Sequence, residues 1–313
     1  MFEYTKAELT GKARKYNFVR DTLEKVLRLV DILAYLNANP MTKDKLALKG
    51  GTAINLTIFN LPRLSVDIDL DFCVNVERAE MIEQRAAISN DIKKYMLSQG
   101  YALSPQSKEH HSLDSFVYMY KNCGGATDNI TIEINYSLRS HVFEPEKRVI
   151  LTAAADNIFI NTINPIEIFA AKINALLSRT AARDLYDIHN MIKYGLFDRE
   201  KELLKKCTVM YTAISQDTIP DEYNIERIDA ISMRKIKTDL LPVIQKGEIV
   251  NLNDVRNTVK DFLAKLLTLS DCEKEFLRLF KEKKFEPQLV FNDEKIIERM
   301  NKHPMILWKL LER

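Results

Sequence analysis

Charge of one sign is what this sequence has least of: 46 lysines and arginines face 44 aspartates and glutamates, a formal net charge of +2. A chain-wide basic field is therefore excluded as a means of holding nucleic acid, which leaves a local basic groove as the electrostatic route. Cysteine is scarce as well. Cys73, Cys123, Cys207 and Cys272 lie far apart and form no Cys-x-x-Cys pair, which argues against structural zinc or a disulfide framework and for reduced thiols. No run approaches the ~18 uninterrupted apolar residues of a membrane span. The opening MFEYTKAELTGKARKYNF has no apolar h-region, so no signal peptide is expected, and the cytoplasm is the expected location. His-x-x-x-His, Gly-x-Ser-x-Gly and the Walker A sequence are missing, which sets aside three common kinds of site. His110-His111, in a polar stretch, and His189 read as structural or exposed.

What remains is the composition of a globular protein. Hydrophobic residues make up 46% and charged residues 29% of 313 positions, enough for about two domains. Residues 6–38 carry helical periodicity through Val26, Leu29, Val30, Leu33 and Leu36, and Asn39-Pro40 ends it. The pattern then predicts a strand at 46–48, a turn at Gly50-Gly51, a short helix over 52–59 with Thr52 as a cap, and a strand at 65–73. A helix at 77–98 is followed by strands at 115–121 and 129–137, joined by a hairpin turn in Asn122-Cys123-Gly124-Gly125. One more short strand is expected at 158–160. From Pro165 onward nearly everything reads as helix: 165–178, 183–193, 201–209, 233–241, 254–269, 271–281, 294–302 and 304–311. The expected class is α+β: a small mixed sheet flanked by helices over residues 1–160, then an all-helical domain over 161–313.

The most informative segment is Lys49-Gly50-Gly51-Thr52, followed by Ser65-Val66-Asp67-Ile68-Asp69-Leu70. Two successive glycines allow positive φ and close approach of the backbone to a ligand. A helix opening at Thr52 would offer free N–H groups to a phosphate, with the Thr52 and Ser65 hydroxyls beside them. By itself a Gly-Gly-Thr run reads as a plain strand-to-helix turn. On a strand, Asp67 and Asp69 share a face while Val66, Ile68, Leu70 and Phe72 face a core. Neighbouring carboxylates repel unless a cation lies between them, and Mg²⁺ (or Mn²⁺) is the natural candidate because it shares hard oxygen ligands with nucleotide phosphates. Asp71 continues the face, which would equally fit simple exposure.

Glu133 lies in Ile130-Thr131-Ile132-Glu133-Ile134-Asn135, sharing a face with Thr131 and Asn135. From a neighbouring strand it could complete a metal shell or act as general base on an attacking hydroxyl; an ordinary exposed strand glutamate is the alternative. A further cluster spans Lys172 to Asp187. Lys172, Arg179 and Arg183 stack on one face if the helix is continuous, and need a corner if the chain breaks after Ser178. Such a cluster could neutralise a triphosphate. Lys172 is flanked by Phe169, Ala170, Ala171 and Ile173, so it needs an anionic partner, substrate or protein. Arg183, Asp184 and Asp187 could instead form capping or inter-helix ion pairs. Lys201, Lys205, Lys206, Arg234, Lys235 and Lys237 are candidates for a nucleic-acid groove, although a solvated helix face explains them as well.

Taken together, Lys49–Ala53, Arg63–Leu70 and Lys172–Asp187 resemble the AbiEii/AbiGii toxin family of nucleotidyltransferases, within the DNA polymerase β-like superfamily. The resemblance covers roughly residues 45–193. It implies that Gly51 and Ser65 lie near nucleotide phosphates and that Asp67 and Asp69 bind metal. It further implies that Lys172 contacts phosphate, that Asp184 belongs to the active site and that Glu133 takes the place of a third carboxylate. Lys49, Gly50, Thr52, Arg179 and Arg183 complete the expected nucleotide-binding set. The family implies a bacterial toxin that uses a nucleoside triphosphate and is paired with a cognate antitoxin; some relatives modify the acceptor end of tRNA. Two other readings stay open: a nucleotide-dependent phosphotransferase or kinase, and an interaction protein that binds nucleotide without turnover.

Overall fold

The structure is a computed structural model that describes residues 2–151, 157–215 and 218–311. The chain divides into two compact units: Met1–Arg139 with Pro145–Ile163 and Val243–Glu248, and Ser140–Glu144 with Asn164–Pro242 and Ile249–Arg313.

The first unit opens with two helices where the periodicity suggests one. Helix α1 (Lys6–Tyr16) starts on a reciprocal cap in which Thr5 and Glu8 bond each other's backbone, and ends at Asn17 in the left-handed conformation, φ 59°. Asn17 tolerates that conformation, and its backbone carbonyl accepts from Lys246 at 2.7 Å while its side chain donates back to the Lys246 carbonyl. That tie lies far away in sequence, so the periodicity carries no trace of it. Helix α2 (Arg20–Ala38) then buries Leu23, Val26, Leu27, Val30, Leu33 and Leu36.

Strands β1 (Leu46–Leu48) and β2 (Asp67–Phe72) flank helix α3 (Gly50–Ala53), which runs on into a wider π-helical turn at Ile54–Ile58. After α4 (Arg78–Ser98) come β3 (Ala102–Leu103), β4 (Lys108–Glu109), β5 (Leu113–Lys121), β6 (Thr127–Asn135), β7 (Glu146–Val149) and β8 (Phe159–Thr162). They form one mixed sheet in the order β3-β5-β6-β2-β1-β8-β7, with β4 also on β5. β2 runs antiparallel to β1 and parallel to β6, so it is held on both edges. The β5–β6 hairpin turns where expected, because the Asn122 side-chain oxygen accepts from the amides of Gly124 and Ala126, each at 3.0 Å. The strands without a sequence signal, β3, β4 and β7, are two to four residues long and mostly exposed. Isoleucines 130, 132 and 134 of β6 and Ile68 and Phe72 of β2 are fully buried, which fixes the face on which the polar residues of both strands emerge.

The second unit is helical: α5 (Pro165–Arg179), α6 (Ala182–Lys193), α7 (Lys201–Ser215), α8 (Met233–Lys235), α9 (Leu252–Leu266), α10 (Asp271–Lys281), α11 (Glu294–Asn301) and α12 (Pro304–Leu311). α7 is longer than expected because Met210, Tyr211, Ala213 and Ile214 continue its buried face. The helix expected over 233–241 shortens to α8 and then widens into a π-type turn at Ile236–Leu240. α5 packs on α7, pinned by Asn174, which donates to the Thr208 carbonyl at 3.0 Å and accepts from the Thr212 hydroxyl at 2.7 Å.

Glu167 of α5 is buried and holds the segment 140–144, accepting from the Val142 amide at 2.6 Å, the Phe143 amide at 3.0 Å and the Tyr211 hydroxyl at 2.7 Å. Burial still dominates and pushes its pKa from 4.5 to about 7, against the pull of those donors. A raised folded pKa means that the stabilising contribution is full below the unfolded value and is lost as pH climbs through the folded one. The size at stake is about 3 kcal/mol, given a shift of roughly two and a half units. The second unit is therefore expected to lose stability between pH 5 and pH 8, and Glu167→Gln should flatten the slope. Urea unfolding followed by the fluorescence of the single tryptophan, Trp308 in α12, measures this directly.

Candidate functional site

The site in the first unit grows out of the link from β1 into α3. Lys49 is extended, at φ −133° and ψ −167°, and Gly50 takes φ +67°. The Lys49 amide donates to the Asp69 carbonyl at 2.9 Å, which brings the bend onto β2. A Cβ on Gly50 would lie 2.6 Å from Asp69 Oδ2, and one on Gly51 would lie 2.6 Å from Arg63 Nη2 and 2.9 Å from Ser65 Oγ. The two glycines therefore leave room for an acidic side chain on one side and for a guanidinium and a hydroxyl on the other. Gly50→Ala should strain the backbone by about 1–2 kcal/mol and displace Asp69. The expected loss of nucleotide transfer exceeds the loss of thermal stability, and paired activity and melting measurements on that variant test it.

Asp67 and Asp69 project from one face of β2, both half-buried, while Ile68 between them and Leu70 after them are buried. The bend is anchored once more to this strand and once to the turn that follows it. The Thr52 hydroxyl donates to the Asp67 carbonyl at 2.5 Å, and Asn55 donates to the Gly51 carbonyl at 2.7 Å. Thr52 thereby ties the bend to β2, and the cap of α3 is Lys49 rather than Thr52. Lys49 is likewise engaged within the fold. Its Nζ lies 2.5 Å from Asp71 Oδ1, and Asp71 is 1% exposed. Burial works against the ammonium, but Asp71 and then Asp69 outweigh it and raise the Lys49 pKa. Asp71 is thus a buried ion-pair partner, not an exposed strand residue.

Glu133 stands in register with Asp69 across the parallel β2–β6 ladder. On its other side it faces Ser115 of β5, whose hydroxyl donates to Glu133 Oε1 at 3.0 Å. That bond draws the carboxylate toward β5. Among the described residues, the three-ligand group whose donor atoms all lie within 4.8 Å of one another is Asp21–Glu24–Cys123, not Asp67–Asp69–Glu133. Arginines occupy the former: Arg28 lies 2.8 Å from Glu24, and Arg20 lies 2.5 Å from Asp21. The donor set that fits a hard divalent cation is the pair Asp67 and Asp69: two half-buried carboxylates on one strand face, beside a bend that leaves Asp69 the space a Cβ would fill.

A second cluster is built in the helical unit. The chain does break after α5, at Thr180 with φ 50°, so Lys172, Arg179 and Arg183 do not form a single stack. Instead Lys172 Nζ lies 2.9 Å from Asp184 Oδ1 and 3.2 Å from Asp187 Oδ2. Arg179 grips Asp184 with Nε at 2.7 Å and a second guanidinium nitrogen at 2.9 Å. Burial pushes the Asp184 carboxyl up, but Lys172 and Arg179 together bring it below its usual range. Arg183 turns away and donates to the Asp239 carbonyl at 3.0 Å. Of the candidate groove residues, Lys205 is buried and paired with Glu273 at 2.8 Å, Lys201 pairs with Asp198, and Lys235 donates to Thr180. Arg234 and Lys237 are exposed.

Three residues of the site carry no expected role: Arg63, Asn55 and Ser115. Arg63 lies inside the stretch that carries the resemblance, yet nothing in an apolar–polar pattern announces a buried arginine. It is 1% exposed.

Across residues 31–271 the chain matches the family model described as nucleotidyl transferase AbiEii toxin, type IV TA system. Among solved structures it is similar to MenT4, a nucleotidyltransferase toxin from Mycobacterium tuberculosis H37Rv. The two share 16% identity and a TM-score of 0.65, over 98% of this chain and 99% of that one. That likeness shows a common fold. No curated protein matches the chain. Because the family model spans well over half of the sequence, the chain belongs to the AbiEii nucleotidyl transferase toxins of type IV toxin–antitoxin systems.

Proposed function

We propose that the protein transfers a nucleotide from a magnesium-bound nucleoside triphosphate to a hydroxyl of an RNA acceptor, with tRNA as the expected acceptor. The observation that carries the reading is the approach of Asp69 to the Gly50-Gly51 bend, with Asp67 beside it on the same strand face. Asp67 and Asp69 would hold the metal. A divalent cation held by them would supply polarisation of the α-phosphate and charge stabilisation for the departing pyrophosphate. The bend, with Ser65 Oγ next to Gly51, receives the phosphate chain. Glu133, fixed by Ser115, takes the proton of the attacking hydroxyl. In the helical unit Lys172 is the proposed phosphate contact, with Asp184 and Arg179 setting its position. The cognate antitoxin is the expected partner. RNA as acceptor is supported by the exposed Arg234 and Lys237, which suit backbone contacts.

Incubation of the purified protein with each α-labelled triphosphate and total cellular RNA tests this. Label in RNA is the expected result. Label transferred from the γ position instead makes the protein a kinase, and binding without any transfer makes it an interaction protein. Chelation of divalent metal is expected to abolish incorporation, with recovery on adding Mg²⁺ or Mn²⁺.

A further inference from the structure

We infer that the acceptor RNA lies as a single strand along one face of the β5–β6 hairpin, with Lys108 and Lys121 as its phosphate contacts. The inference rests on the nucleotide-transfer reading above and adds where that acceptor is held. It comes from the way charge is sorted between the two faces of these strands. β4, β5 and β6 carry two lysines, Lys108 and Lys121, and four carboxylates, Glu109, Asp114, Asp128 and Glu133. Residues paired across a ladder share a face, and faces alternate along a strand. The register therefore places both lysines on the face of Glu133 and the other three carboxylates on the opposite one.

That opposite face meets α2 and α4, and each of its acids has a cation from a helix. Arg85 of α4 holds Asp114 at 2.5 Å, Lys93 of α4 holds Glu109 at 2.5 Å, and Lys25 of α2 stands 3.8 Å from Asp128. The Glu133 face differs. On β5, Leu113, Ser115, Val117 and Met119 are half-buried, and so are the β6 residues opposite them. Lys108 and Lys121 are exposed. Asp69, Glu133, Ser115 and Lys108 follow one another across four neighbouring strands, each in register with the next. At about 4.8 Å per strand, the backbone of Lys108 lies roughly 10 Å from that of Glu133 and roughly 14 Å from that of Asp69. Lys121 stands at the hairpin end of the same face, about 20 Å from Ser115 at ~3.4 Å per residue.

A ribonucleotide strand matches this arrangement. Its terminal hydroxyl belongs at Glu133, the proposed base, with Lys108 beside the last phosphate and Lys121 beside one further back. Val117 and Met119 give its bases an apolar floor. With three acids turned to the helices, the strand meets one carboxylate on the hairpin, at the place where a proton has to be taken. A lysine on an edge strand such as β4 also discourages pairing with another sheet, but that role makes no demand on which face the neighbouring acids take.

The test follows a fluorescein-labelled single-stranded oligoribonucleotide by anisotropy across a salt series, and α-label transfer to total cellular RNA. The proteins are wild type and the double variant Lys108→Gln with Lys121→Gln. Lys94→Gln, which removes an exposed charge from α4 on the other side of the sheet, is the control. The double variant is expected to bind the oligonucleotide about tenfold more weakly, and the slope of log affinity against log salt should fall by about 0.7 for each lysine lost, the share of one phosphate contact on a single strand. In the transfer assay its KM for RNA should rise while its KM for the triphosphate stays the same. Lys108→Arg with Lys121→Arg keeps both charges and should keep the affinity. If the double glutamine variant does not fold, Lys108→Gln decides alone, with a loss of RNA affinity of about threefold expected. Wild-type affinity and salt slope in the folded glutamine variant overturn the assignment. An equal loss in Lys94→Gln, or a matching rise in KM for the triphosphate, overturns it as well. Wild-type protein that leaves α-label out of RNA overturns the nucleotide-transfer reading instead; oligonucleotide binding needs no turnover, so the two failures are told apart.

Discussion

Asp67→Ala is expected to cut nucleotide transfer by about 10²–10³-fold, the loss typical of removing one group that stabilises transition-state charge. The physical reason is the geometry of β2. Asp67 and Asp69 emerge on one face with Ile68 buried between them, so each carboxylate's charge is unfavourable alone beside the other and becomes useful only with a cation between. Removing one leaves a single ligand and half the charge. The fold should tolerate the change, because Asp67 is half-buried and its structural contribution, accepting from Thr52, is made by its backbone carbonyl. Asp69→Asn should lose activity on the same scale while keeping the shape of the group that packs against Gly50. Asp71→Asn is the contrasting case. It removes the partner of Lys49 in a buried place, so its main effect should be on stability. Rates of α-label incorporation, set beside melting temperatures for the three variants, separate these expectations. Wild-type transfer by Asp67→Ala would refute the assigned site.

Much of this was legible in the sequence, for reasons that can be named. The alternation around Asp67 and Asp69 is a period-two signal, and the structure gives a strand there because Ile68, Leu70 and Phe72 have a core to face. Isoleucines 130, 132 and 134 made β6 visible in the same way, and Asn122-Cys123-Gly124-Gly125 announced the hairpin. Local patterns fail where the partner is remote. The break between α1 and α2 is tied to Lys246. Lys49 is drawn from the bend by Asp71, two residues beyond the pair that the pattern singles out. Arg63 and Glu167 are ionisable groups inside the fold, the first donating to the Leu64 carbonyl and the second accepting from two amides and a tyrosine, and no periodicity marks a polar residue as buried. Ser115 holds Glu133 across a ladder whose register only the folded sheet sets.

Lys172→Met should be the most destabilising single change in the helical unit, at about 3–5 kcal/mol, the cost of breaking a buried ion cluster from one side. One ammonium serves two carboxylates: Asp184 is 1% exposed and Asp187 is fully buried. Its removal leaves Asp184 to Arg179, whose own side chain is 62% exposed, and takes from Asp187 a cation 3.2 Å away. Because the Asp184 pKa is depressed, its share of stability is present above the unfolded value and disappears as pH falls through the folded one; the wild-type protein should therefore lose more on acidification than the variant does. A double substitution, Lys172→Met with Asp187→Leu, removes one of the two buried carboxylates along with the ammonium they share and should regain part of the lost stability. Trp308 fluorescence in urea reports the unit concerned. Activity distinguishes the two roles of the lysine. If stability returns in the double variant and nucleotide transfer does not, Lys172 meets phosphate as well as holding α5 to α6. If both return, its work is confined to the fold. A loss below about 1 kcal/mol for Lys172→Met would place the pair among surface ion pairs, in conflict with its burial.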